Sequence, residues 1–138
     1  MTATPWQPPE PGDIVWCRFP YLPSRAPGPK PRPALVLAVE VRDDGVVVQV
    51  AYGTSQNLGR LKVGEFAIAQ ANNRVAYALA GLSFDTKFDL ELKIDLPWTD
   101  EFFAVPPMPR HGQTPKLGTL HASLMMALRA THDAEQGR

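Results

Sequence analysis

Arg32 is held between Pro31 and Pro33 at the head of an apolar run, Lys30-Pro31-Arg32-Pro33-Ala34-Leu35-Val36-Leu37. Each proline fixes its own φ, and Pro33 also pushes Arg32 towards an extended backbone. A guanidinium presented from so stiff a stretch suits bidentate capture of a phosphate, because its planar fork of donors is already oriented. The plainer reading is a solvated arginine in a proline-rich loop. A second stretch, Tyr52-Gly53-Thr54-Ser55-Gln56, closes a run of strand-like residues. Gly53 permits tight backbone, and the two hydroxyls and the amide that follow are donors to an anion. Alone, this stretch reads as a polar turn. Arg32 begins one strand, however, and Thr54 follows its expected antiparallel neighbour, so hairpin pairing brings them close. That convergence favours a shared anion site.

Other chemistries lack their residues. The sequence holds no zinc-ligand spacing, no phosphate-binding glycine loop and no nucleophile elbow, since Gly81-Leu82-Ser83 leaves the elbow incomplete. The single cysteine, Cys17, excludes an internal disulfide and a cysteine metal cluster. Within Ile14-Val15-Trp16-Cys17-Arg18-Phe19 it reads as a small buried hydrophobe. His111, His121 and His132 all come late, and the last two flank an apolar stripe, so edge-of-core or solvent positions suit them better than an acid–base pair. No metal and no cofactor are expected. Lys and Arg total 14, as do Asp and Glu, giving a formal net charge of zero. Any nucleic-acid site must then be a local patch and not a global field.

The elements that must position these residues are mostly strands. Ten of the 15 prolines precede position 34. They mark residues 1–11 as a tail and the segment before Arg32 as a stiff surface loop. Asp13–Phe19 reads as the first strand. Ala34–Val41 is nearly continuous apolar sequence, as expected of a strand covered on both faces. Asp43-Asp44-Gly45 supplies a hairpin turn, with Val46–Tyr52 as the returning strand. Glu65–Gln70 reads as a short strand, and Asn72–Ala80 as a brief helix or turn stopped by Gly81. Phe88, Leu90, Leu92, Ile94 and Leu96 alternate with charged residues, which predicts a half-buried strand with one apolar and one charged face. Leu117, Leu120, Leu124 and Leu128 predict an amphipathic helix from about Pro115 to His132. The expected fold is mainly β: a small, strongly bent barrel with a C-terminal helix, forming one domain over residues 12–136.

The order of these segments resembles a known family. "GDIVWCRFP", a long loop, "KPRPALVL", "VQVAYGTSQ", "GEFAI", "AGLSFDTKFDL" and a final amphipathic helix are similar, across residues 12–132, to the MazF/PemK family of toxins. Gly12-Asp13-Ile14-Val15-Trp16 and Arg32-Pro33-Ala34-Leu35-Val36-Leu37 are the most specific parts. The resemblance implies an SH3-like barrel, a homodimer, and a growth-inhibiting, metal-independent endoribonuclease held in check by a cognate antitoxin, while the lack of a leader-like start and of a bilayer-length apolar run predicts a cytoplasmic protein. The family's arginine before the proline and threonine at the end of the third strand fall on Arg32 and Thr54, which would be catalytic. The implied reaction is attack of a ribose 2′-hydroxyl on its own phosphate in single-stranded RNA, with Arg32 stabilising charge and Thr54 and Ser55 orienting the phosphate.

The same resemblance implies a wider substrate-binding set of Ser55, Gln56, Lys30, Arg25, Lys87 and Asp89. Many family members carry a further basic or acidic pair on a later strand, and some a histidine in the first loop. Here "PYLPSRAPGPK" has none, and Arg25 or Lys30 stands in its place. On the later strand Lys87 is the base-side cation, and Asp85, Asp89 or Glu91 the acid. Simple solvation of that charged face is the alternative. At the level of function, the alternatives are a non-catalytic SH3-like module with a protein partner, or a degenerate family member. No charged leader followed by an apolar core opens the chain, and no apolar run approaches the ~20 residues that span a bilayer.

Overall fold

Asp43 and Asp44 reverse the chain between its two long early strands, in a computed structural model that describes residues 6–125. The hairpin they close pairs Arg42 with Gly45, whose φ of 142° a side chain would strain. Around this hairpin stand β1 (Asp13–Cys17), β2 (Arg32–Arg42), β3 (Gly45–Thr54), β4 (Glu65–Ile68), α1 (Arg74–Ala80), β5 (Thr86–Pro97) and β6 (Lys116–Thr119). The strands form one six-stranded antiparallel sheet in the order β4-β5-β3-β2-β1-β6. The fold is mainly β, as expected. β4 and β6 are the outer strands, and among the described residues no ladder joins them.

Neighbouring residues of β1 and β2 point to opposite faces, and both faces are covered. Val15, Cys17, Ala34 and Val36 join Val48 and Val50 in one core with Trp98, Phe102 and Phe103. Ile14, Leu35 and Ala51 enter a second core with Phe66, Ile68, Ala76 and Ala80. This double burial accounts for the successive apolar residues Ala34, Leu35 and Val36, but the strand is not covered on both faces as far as Val41, as expected, since Ala38 and Val41 are exposed. Cys17 is fully buried, and burial pushes its thiol far above the ordinary range. It behaves as the inert hydrophobe that its context predicts. The tail is also drawn in. Trp6 stacks edge-on against Trp98 at 5.7 Å, and the Trp98 indole N–H donates to the Gln7 carbonyl at 3.0 Å.

Two expectations are corrected. β5 does not keep one apolar face. Its pairing with β3 shifts between Ala51 and Tyr52, which leaves residues 90–92 outside the ladder. That bulge skips an odd number of residues, and an odd slip exchanges the two faces of a strand. Phe88 and Leu90 therefore serve the second core, Ile94 and Leu96 serve the first, and Leu92 is only half buried.

The final helix likewise begins later than its leucine spacing predicts. Lys116–Thr119 forms β6 on the free edge of β1, and Pro115 offers its carbonyl to the Trp16 N–H at 2.8 Å. Helical structure starts at Ala122, and Leu128 and His132 lie outside the described residues. The edge of β1 has backbone groups that need partners, and that demand outweighs the helical spacing of Leu117 and Leu120.

α1 rests on β6. Asn73 caps it by accepting the Ala76 N–H at 3.0 Å, and Gly81 ends it in the left-handed region at φ 70°. A Cβ at Gly81 would stand 1.9 Å from the Leu117 carbonyl oxygen, so only glycine allows this close approach. Among the described residues, no helix is long and apolar enough to cross a membrane.

Candidate functional site

The β2–β3 ladder pairs Ala34 with Tyr52 as its last rung at this end, and Arg32 and Thr54 each lie two residues beyond it. Gly53 makes the approach possible: a Cβ there would lie 2.3 Å from the Pro33 carbonyl oxygen and 2.9 Å from the Phe88 ring. Arg32, Thr54 and Ser55 all line one cavity of about 830 Å³. The proline-braced arginine and the glycine-adjacent hydroxyl thus share one cavity lining.

Arg32 lines this cavity, and its Nε is buried without a hydrogen-bond partner. A buried polar hydrogen left unmatched costs about 1–3 kcal/mol, and more on a charged group, so the site favours an incoming acceptor. Thr54 Oγ1 accepts the Gln56 N–H at 3.2 Å, which holds the turn and leaves the hydroxyl's own hydrogen for another acceptor. Ser55 and Ser83 add two more hydroxyls to the lining. Thr86 also lines the cavity, but its hydroxyl is spent on the Phe84 carbonyl at 2.8 Å.

Two further cations line the cavity, and the sequence reading missed both. Arg110 arrives on the loop that follows β5, and Lys116 on β6. Lys116 leans on Asp13 at 3.5 Å and keeps a third of its side chain exposed. One signal for Arg110 was available: Pro109-Arg110 repeats the proline-then-arginine step of Pro31-Arg32. Lys116 had no such signal, because its segment reads as helix. The described lining contains no carboxylate and no imidazole.

The remaining candidates separate. Gln56, Lys87 and Asp89 line a smaller neighbouring cavity of about 390 Å³, together with Arg60, Lys62 and Glu65, and Thr54 borders both cavities. Lys87 is buried, 3.0 Å from Glu65 Oε1, and also donates to the Arg60 carbonyl at 3.1 Å. Burial pushes the Glu65 carboxyl up, but the Lys62 N–H and the Lys87 ammonium outweigh it and hold the group below its ordinary value. Asp89 accepts the Glu91 N–H at 2.9 Å, and Asp85 accepts the Gln70 N–H at 2.9 Å and lines neither cavity. Arg25 and Lys30 are exposed on the first loop and also line neither. His121 is half buried at the start of the last helical turn, where its Nδ1 accepts the Ser123 N–H at 3.0 Å. No protein-family model and no curated protein matches this sequence.

Proposed function

We propose that the chain is a toxin-like endoribonuclease of the MazF/PemK type, which cuts single-stranded RNA without a metal ion in the cavity shared by Arg32 and Thr54. The observation that carries this reading is a cavity whose described lining holds three cations and no acid, one of them Arg32 with its Nε buried and unpartnered. Such a site lowers its free energy by taking up an oxyanion, and a phosphodiester supplies one.

In the proposed reaction the 2′-oxygen of a ribose forms a bond to the adjacent phosphorus while its proton passes to solvent. The bond from phosphorus to the 5′-oxygen of the next nucleotide breaks, and that oxygen takes up a proton. The products are a 2′,3′-cyclic phosphate and a 5′-hydroxyl. Arg32 stays charged throughout and holds the non-bridging oxygens, on which negative charge accumulates in the transition state. The Thr54 hydroxyl donates to the same phosphate. RNA is cut and DNA is not, because DNA lacks the nucleophile. The protein works in the cytoplasm as a homodimer, and a cognate antitoxin segment that folds on binding covers the cavity and excludes RNA.

A second reading, a non-catalytic binding module of the same fold, is favoured by one observation. The described lining residues include no carboxylate or imidazole to act as general base. One assay separates the two. Purified protein is incubated with mixed-sequence RNA in EDTA, beside Arg32→Ala. Cleavage by the wild type alone supports the nuclease. Intact RNA, or equal cleavage by both proteins, supports the binding module.

A further inference from the structure

We propose that Phe84 is a stacking platform for an unpaired nucleobase beside the phosphate held by Arg32, so that the cavity takes a nucleotide of a single strand and not a bare phosphate. This rests on the anion-binding reading of the cavity, but not on cleavage. The cavity, at about 830 Å³, falls in the range of sites for drug-sized ligands, and a lone oxyanion would leave most of it empty. Its lining combines aromatic and apolar side chains with the cationic ones. Phe84 lines the cavity with 71% of its surface exposed, Met108 lines it with 87% exposed, and half-buried Trp16 joins them.

Phe84 is also held still. Leu82, two residues before it, is buried in the second core. Asp85 accepts the Gln70 N–H, and buried Thr86 donates its hydroxyl to the Phe84 carbonyl. A large apolar ring displayed to water from a pinned turn is costly unless something covers it, and pre-organisation reduces the entropy lost when something does. Charge complementarity names the occupant. Arg32 and Arg110 make no ion pair with any described residue, and no carboxylate joins them in the described lining. The Thr54 and Ser55 hydroxyls share the lining with the guanidinium and add neutral donors that the several oxygens of a phosphate can use. An aromatic plane next to a phosphate site matches the recurring architecture of single-strand recognition, in which every base has a face to stack.

The test uses the full chain in EDTA and two fluorescent probes of equal charge: a mixed-sequence 2′-O-methyl hexanucleotide, whose blocked 2′-oxygens prevent cleavage, and an abasic hexamer. Phe84→Ala is expected to weaken hexanucleotide binding by roughly tenfold or more, the size of one base–aromatic stack, while changing abasic binding little. Phe84→Trp is expected to restore the hexanucleotide affinity. Equal losses on both probes, or no loss on either, would overturn the proposal. So would an acidic peptide carrying one phenylalanine if it bound more tightly than the hexanucleotide, since the cavity would then suit a protein partner. Wild-type protein that binds the hexanucleotide but leaves ordinary RNA uncut would remove the nuclease and leave the platform standing.

Discussion

Lys87 crosses the β4–β5 ladder diagonally and sets its Nζ 3.0 Å from Glu65 Oε1, with less than a tenth of either side chain exposed. The pair sits beside Thr54 in the smaller cavity, so the cation expected to assist catalysis is engaged in holding β4 against β5. Lys87→Ala should cost about 3 kcal/mol, since removal of one partner strands a buried charge. Glu65→Leu combined with Lys87→Met should recover most of that loss, and urea denaturation measures both. Because the folded Glu65 carboxyl lies below its ordinary value, its contribution is complete above the unfolded-chain value of roughly 4.3 and disappears as pH falls through the folded one. The stability gap between wild type and Glu65→Gln should accordingly close in acid. A gap unchanged between neutral pH and pH 3 contradicts this account.

Arg32 is placed at a cost to the free protein. Replacing it by Met removes the buried, unmatched Nε–H and should stabilise the unliganded chain by about 1 kcal/mol. Cleavage should fall by roughly 10²–10³-fold, as when a preorganised donor to transition-state charge is lost. Thermal melts and cleavage assays on one preparation read both effects. A variant less stable than wild type would mean that Arg32 supports the fold.

The described lining of the main cavity includes no histidine and no carboxylate. A reaction whose base is solvent hydroxide should speed up about tenfold per pH unit between pH 6 and 9, with no plateau. A bell-shaped profile from single-turnover rates would instead point to a histidine or carboxylate delivered from elsewhere, and the solvent-base step would have to be abandoned.

Gly53 should tolerate no side chain. Its Cβ would collide with the Pro33 carbonyl and the Phe88 ring, and both belong to packed strands that cannot retreat. Gly53→Ala should cost about 1–3 kcal/mol, the usual penalty for overpacking, and should lower RNA affinity by parting Arg32 from Thr54. Gly59→Ala, with open space around its Cβ, is the matched control. Equal melting temperatures for the two variants would refute the steric argument.

Sequence alone determined what depends on near neighbours. The Asp43-Asp44 turn, the Gly81 stop of α1, and the shared placement of Arg32 and Thr54 in one cavity were all legible, because turn chemistry and hairpin register act over short stretches of chain. Tertiary structure decided the rest. An alternating pattern records spacing but not a bulge, so the exchange of faces within β5 left no trace in its leucines and isoleucines. Lys116 entered the cavity because the unpaired edge of β1 claimed its segment as a strand, and Arg110 because the loop after β5 returns past β1. Backbone groups at a sheet edge take partners from wherever the chain can supply them. No residue's type announces which distant segment will answer.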